Sequence, residues 1–134
     1  KSFQPMSMIR TRPAAPVRIV HIGAGAFFKA HQAWYTSSVD GSKDWGIAAF
    51  SGRSSQTIDE LKAQDCVYTL IARDADKEDV QQIESITSAF DGSDEVNFTK
   101  FMKDSKVSIV TITVTEAGYR ITNSGELNLE DPKT

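Results

Sequence analysis

The sequence predicts an α/β fold: a mostly parallel sheet with helices between its strands and a β-hairpin inserted among them. Three observations carry this. Short β-branched or apolar runs alternate with segments of helical period. A Gly-x-Gly turn follows the first run directly. In the run Val107–Thr115 (VSIVTITVT), eight of nine residues are β-branched, which a helix would tolerate poorly.

Residues 1–16 carry Pro5, Pro13 and Pro16 and show neither period, so they read as an extended N-terminal arm. Met6, Met8 and Ile9 give that arm something to bury. Val17–Ile22 (VRIVHI) reads as a buried strand stopped by Gly23 and Gly25. A helix fits residues 26–40, with Phe27, Ala30 and Trp34 on one face and Ala33 beside them. Asp40-Gly41-Ser42 ends it by turn chemistry. Trp45–Phe50 is a second strand, broken at Gly52, and residues 55–65 form a short helix with Ile58 and Leu61 inward.

Val67–Arg73 and Val80–Ala89 are two β-rich runs around the polar turn Asp74-Ala75-Asp76-Lys77-Glu78, which predicts the hairpin. A helix over residues 94–104 follows, with Phe98, Phe101 and Met102 on one side. Val107–Thr115 is then expected to be a central strand buried on both faces. After Gly118 the chain is polar and rich in turns.

With 134 residues, 40% hydrophobic and 25% charged, the chain suits one soluble domain with a real core. Residues 17–134 are taken as that domain. Fifteen basic and eighteen acidic residues give a net charge of −3, with no Lys/Arg cluster, which argues against nucleic acid as a partner. No apolar run reaches about 18 residues, so no membrane span is expected. Cys66 is the only cysteine, which rules out an internal disulfide and fits a reducing, cytoplasmic home.

The chemistry lies where the first strand ends. Gly23 permits a tight turn, and Gly25 lets a diphosphate approach the backbone. The helix start then offers free N–H groups to that anion. Gly23, Ala24, Gly25 and Ala26 are therefore candidate backbone contacts for a dinucleotide in a Rossmann-like fold. The usual third glycine is replaced by Phe28, so its ring must point elsewhere or the helix must sit further out. His21 and His31 are expected to orient the loop by hydrogen bonds rather than to bind metal. The carboxylates Asp74, Asp76, Glu78 and Asp79 read as a solvated turn, and Trp34, Trp45, Phe98 and Phe101 as core. Pattern alone leaves other nucleotide binders open. A non-catalytic regulatory module is one. A methyltransferase-like fold is another, though it would call for an acidic residue where Phe50-Ser51-Gly52 stands.

The segment Ile19–Tyr35 (IVHIGAGAFFKAHQAWY) resembles the N-terminal signature of the mannitol dehydrogenase family. His21, Gly23, Gly25, Ala26, Phe27, Ala30, His31, Gln32 and Ala33 meet it. Lys29 stands where arginine is commoner, and Phe28 where histidine is common. The likeness continues in Asp44-Trp45, Gly52-Arg53, Ile83–Ala89 and Thr113–Tyr119, so it spans Val17 to about Gly125. It implies an NAD(P)-dependent oxidoreductase acting on a polyol, keto-sugar or sugar acid, without metal. Phe27 would then pack near the nicotinamide, Arg53 near the adenosine end, and Thr113 and Val114 along the crevice. Glu116, from its place just past the C-terminal end of the last strand, is expected either to line the nicotinamide or substrate pocket or to be a surface carboxylate in a loop. Such enzymes carry a catalytic lysine, with asparagine and histidine nearby, in a C-terminal helical domain. None of that is present here, so the chain is expected to be a fragment, inactive alone. The end of the second strand holds Arg53, Ser54 and Ser55 and no carboxylate, a set suited to a 2′-phosphate, so either NAD or NADP is expected, with a lean to NADP.

Overall fold

The computed structural model describes residues 10–114 together with 126, 129 and 130. Six strands and four helices run β1 (Val17–Ile22), α1 (Ala26–Ala30), α2 (Gln32–Ser38), β2 (Gly46–Phe50), α3 (Gln56–Ala63), β3 (Tyr68–Asp74), β4 (Lys77–Ile83), β5 (Ile86–Phe90), α4 (Glu95–Met102) and β6 (Ile109–Ile112). A short 3-10 turn (Ser42–Asp44) precedes β2. Four strands form a parallel sheet in the order β5-β2-β1-β6. β3 and β4 pair antiparallel as a separate hairpin, with Ile71 opposite Val80. This is the parallel α/β sheet with an inserted hairpin that the pattern predicts.

Side-chain alternation divides the core. Along β2, Ile47 and Ala49 face one layer, while Ala48 and Phe50 face the other. The first layer gathers Ile19, Phe28, Ala33, Ile58, Leu61, Tyr68, Ile83 and Ile86 from β1, the helices α1–α3, the hairpin and β5. On the second, Phe98 and Phe101 of α4 meet Phe50 edge-on, at centroid separations of 5.6 and 6.3 Å. Trp34 and Trp45 are only partly buried. Trp34 donates Nε1–H to Gln81 on β4, and Arg18 lies over the Trp45 ring.

Four expectations need correction. The helix over 26–40 is two helices, because His31, at φ −117° and ψ −82°, breaks it. That break also moves the inner face: Phe28 and Ala33 are buried, whereas Phe27 is 67% exposed. The run 80–89 is likewise two strands. Glu84 and Ser85 separate β4 of the hairpin from β5 of the main sheet, and both are buried. Ser85 Oγ donates to the Ala33 carbonyl at 2.6 Å, which anchors the crossing point. Lastly, β6 is shorter than expected and forms the sheet edge among the described residues. Ile109, Val110, Ile112 and Val114 are 44–61% exposed. β-Branching reports a strand with apolar faces, not what covers them.

The arm packs from Arg10 onward. Arg10 donates to the carbonyls of Asp65, Glu84 and Ile86 at 2.9–3.0 Å. Thr11 donates its N–H (2.6 Å) and its hydroxyl to the Glu84 carboxylate. Met6, Met8 and Ile9 lie outside the described residues. Burial opposes ionisation of Glu84, but the Thr11 and Arg12 hydrogen bonds and the Arg10 charge outweigh it and hold its carboxyl below the usual range. A depressed carboxylate stabilises the fold above the unfolded value of 4.5 and loses that effect as pH falls through the folded value. Glu84→Ala is therefore expected to cost about 1–3 kcal/mol at pH 7. Urea unfolding should show this deficit shrinking in acid, as the wild-type carboxyl takes up its proton.

Candidate functional site

The site forms where β1 leaves the sheet. The N–H groups of Gly23 and Ala24 both donate to the Phe50 carbonyl at 3.0 Å, hooking the turn to the last residue of β2. Gly23 sits at φ +90°, a conformation L side chains rarely adopt, and a Cβ there would lie 3.2 Å from the Thr113 carbonyl oxygen. Gly25 is different. Its backbone is extended, it caps α1 with no side-chain bond, and a Cβ there would meet nothing within 4 Å. Open space therefore faces the second glycine. α1 has only five residues, so its capacity for an anion rests on the free N–H groups of its first turn more than on a long helix dipole.

Beside the turn lies a cleft of about 290 Å³. His21, Phe28 and Gln32 line it with Phe27 on one side, and Thr113 and Val114 on the other. Three sequence candidates thus share one space: Phe27, Thr113 and Val114. Phe27 stacks on His31 at 4.1 Å, and His31 Nδ1 lies 2.8 Å from the Phe27 carbonyl oxygen, which ties the ring to the helix break. Arg53 is exposed on the loop after β2, away from that cleft's lining. The neighbouring end of β5 joins that loop, where Ser51 N–H donates to the Phe90 carbonyl and Gly92 N–H to Ser51 Oγ. Ser93 holds the Asp91 carboxyl below its usual range through its hydroxyl and N–H. Glu116 lies outside the described residues.

Phe28 occupies the space that a third glycine would leave empty. Its ring is buried and lies flat on the His21 imidazole, 3.8 Å away at 3°. His21 itself is 2% exposed. Its Nδ1 is 2.7 Å from Thr111 Oγ1, and its Nε2 is 3.0 Å from Thr113 Oγ1. Gln32 Nε2 donates to Thr111 Oγ1 at 2.9 Å. The pattern points to His21 as a support of the loop but not to Gln32 or Thr111 as its partners. A signal was available: Thr111 and Thr113 are two apart, so both hydroxyls fall on one face of β6. Hydroxyls there need polar partners, and His21 is the polar residue of β1 in register with Thr111.

Among the described residues no group of three His, Cys, Asp or Glu side chains could hold a metal ion. Nor, among them, is any helix long and apolar enough to cross a membrane.

Burial pulls the His21 pKa from 6.5 down to about 4, against a smaller upward pull from the Gly23 backbone. The unfolded chain therefore takes up a proton near pH 6.5 while the folded protein does not until about 4. Folding stability should fall across that window as pH drops, by up to about 3 kcal/mol. Denaturant unfolding of wild type and His21→Asn at several pH values tests this. The variant should show a flatter dependence between pH 6.5 and 4.

The family model for the mannitol dehydrogenase Rossmann domain matches residues 17–134. The D-mannonate oxidoreductase of Escherichia coli (strain K12) is 37% identical over 125 residues, covering 86% of this chain and 25% of that enzyme. The polyol:NADP oxidoreductase of Gluconobacter oxydans (strain 621H) is 34% identical over 121 residues, covering 84% and 25%. Among solved structures, the Pseudomonas fluorescens mannitol 2-dehydrogenase ternary complex with NAD and D-mannitol superposes with a TM-score of 0.69 at 34% identity, covering 84% and 25%. The chain spans about a quarter of the length of the curated relatives it matches.

Proposed function

The chain belongs to the mannitol dehydrogenase family, and from that membership we propose that it binds the dinucleotide for hydride transfer between NAD(P) and a polyol, keto-sugar or sugar acid. The observation that carries this is the open space at Gly25. A Cβ at Gly25 would meet nothing within 4 Å, and since the Gly23 and Ala24 N–H groups are taken by the Phe50 carbonyl, the backbone left accessible beside the cleft at the strand ends is that of Gly25 and Ala26. A diphosphate fits that cradle, since backbone N–H groups would meet its oxygens and no side chain intervenes. Thr113, Val114 and Phe27 would then flank the nicotinamide half, and Arg53 the adenosine half.

When bound, the dinucleotide supplies the hydride acceptor or donor. The residues of this chain bind and orient it. The substrate-binding and catalytic groups are proposed to lie outside this stretch, because the relatives are about four times as long. The open, apolar edge of β6 suits further strands in a protein of that length. Glu116, two residues past Val114, is proposed to line the same end of the sheet. A cytoplasmic setting fits the lone, buried Cys66, whose thiol burial pushes up. The net charge of −3 supports no role for nucleic acid.

Gly25→Val tests the cradle. Because nothing in the fold occupies that side, thermal unfolding should change little, while dinucleotide affinity in the full-length protein should fall about tenfold or more. Unchanged affinity by calorimetric titration would exclude the site.

The choice of cofactor is proposed to lean to NADP. One relative is named for NADP and a solved neighbour holds NAD, so the family alone does not decide. The loop after β2 exposes Arg53 with Ser54 and Ser55, and the Asp91 carboxylate just past β5 accepts from Ser93. Arg53→Ala should lower kcat/KM for NADP about tenfold, with a much smaller effect for NAD. Equal losses, or a strong NAD preference untouched by the substitution, would show that this loop does not read the 2′ position.

A further inference from the structure

One hydrogen-bond chain runs from α2 through β6 to β1 and back to β6: Gln32, Thr111, His21, Thr113. Its direction follows from counting protons. A neutral imidazole has one N–H and one acceptor nitrogen, and a hydroxyl has one proton to give. If the ring proton sat on Nδ1, Thr111 would accept from both Gln32 and His21. Its own hydroxyl proton would then be the one left over among the described residues, on a side chain that does not line the cleft. If the proton sits on Nε2, the proton left over is instead that of Thr113, which lines the cleft, where water or a ligand can accept it. Gln32 donates to Thr111, Thr111 donates to Nδ1, and Nε2–H donates to Thr113. The flat stack of Phe28 at 3.8 Å keeps the ring from turning over. Thr113 is left with one hydroxyl proton and no described partner for it, at the wall of the cleft and against Gly23.

We propose that His21 is a positioning residue whose Nε2–H tautomer turns the Thr113 hydroxyl into a hydrogen-bond donor for an oxygen of the bound dinucleotide. This rests on the dinucleotide reading above. The acceptor is either a diphosphate oxygen beside Gly23 or the carboxamide oxygen of the nicotinamide, and both present the same chemistry to Thr113. Thr111 and Gln32 act at one remove, by fixing which ring nitrogen carries the proton. Neither needs to touch the ligand.

The test measures Kd for NAD⁺, NADP⁺ and ADP-ribose in the full-length protein. Thr113→Val should weaken dinucleotide binding about three- to tenfold, the loss of one hydrogen bond. Thr113→Ser, which keeps the hydroxyl, should recover most of that. His21→Phe preserves the stack on Phe28 but removes both nitrogens, and should cost about as much. The double variant should then lose no more than the worse single one, because both act through the same proton. Thr111→Val carries the same test if His21→Phe fails to fold, and should weaken binding without any contact to ligand. Additive losses, or wild-type affinity in Thr113→Val or Thr111→Val, would overturn the proposal. A matching loss for ADP-ribose assigns the acceptor to the diphosphate, and a loss confined to the intact dinucleotides assigns it to the nicotinamide. Failure of the wild-type protein to bind any dinucleotide would count against the function itself, a different outcome from selective failure of these variants.

Discussion

The Phe50 carbonyl oxygen is the point on which the site depends. It accepts from both Gly23 and Ala24, so the chain leaving β1 is held against the last residue of β2 before it can start a helix. Gly23 makes this possible by taking φ +90°, where an L side chain would be strained and its Cβ would lie 3.2 Å from the Thr113 carbonyl oxygen. Once the turn is fixed there, the first free N–H groups of α1 point past the strand ends and Gly25 is left uncovered. Packing elsewhere serves this geometry. Phe50 is gripped from below by Phe90, Phe98 and Phe101, so the carbonyl that holds the turn belongs to one of the most buried residues in the protein.

Phe28 shows how the family of turns tolerates a large residue where a third glycine is usual. In the familiar arrangement, that glycine lets helix and strand approach closely. Here the space between them is kept and filled by two flat rings, Phe28 on His21. The helix is then interrupted at His31, one turn later, which lets α2 swing so that Ala33 is fully buried and Trp34 reaches Gln81 on the hairpin. Phe28 and the break thus act together: a large ring is buried before the bend and a small residue, Ala33, after it.

Much of this was legible in the sequence. Strand and helix order, the hairpin and the Gly23–Gly25 turn follow from periodicity and glycine placement, which are local properties. The inner residues of α3, Ile58 and Leu61, follow from a single clean helical stripe. What escaped were properties of partners far apart in the chain. The split between β4 and β5 depends on Glu84 and Ser85 finding Thr11 and Ala33, and a run of β-formers gives no sign of a change of sheet. The exposure of β6 depends on which strands stand beside it, and β-branched composition is the same for a covered strand and an open one. One unbroken helix would turn Phe27 inward with Ala30 and Trp34, and the break at His31 has no glycine or proline to announce it.

The hydroxyls of β6 expose the same limit at the site itself. Eight β-branched residues in nine suggest a strand chosen for greasy packing, yet two of the threonines on its inner face carry polar work. Valine would match threonine in shape and strand preference at both positions. Packing alone therefore gives no reason for a hydroxyl at either, and burying one costs free energy unless a partner is found. His21 supplies that partner for both, and its own burial is tolerable only while it stays neutral, which the two hydroxyls and the Phe28 stack allow. The polar set on β1 and β6 is thus self-consistent only as a group. Removing His21 leaves Thr111 with Gln32 alone and takes away the described partner of the Thr113 hydroxyl, and removing either hydroxyl takes a partner from a buried ring. A polar set of this kind beside the glycine turn, at positions where valine would match threonine in shape, is what the proposed role of Thr113 as a donor to a bound dinucleotide calls for.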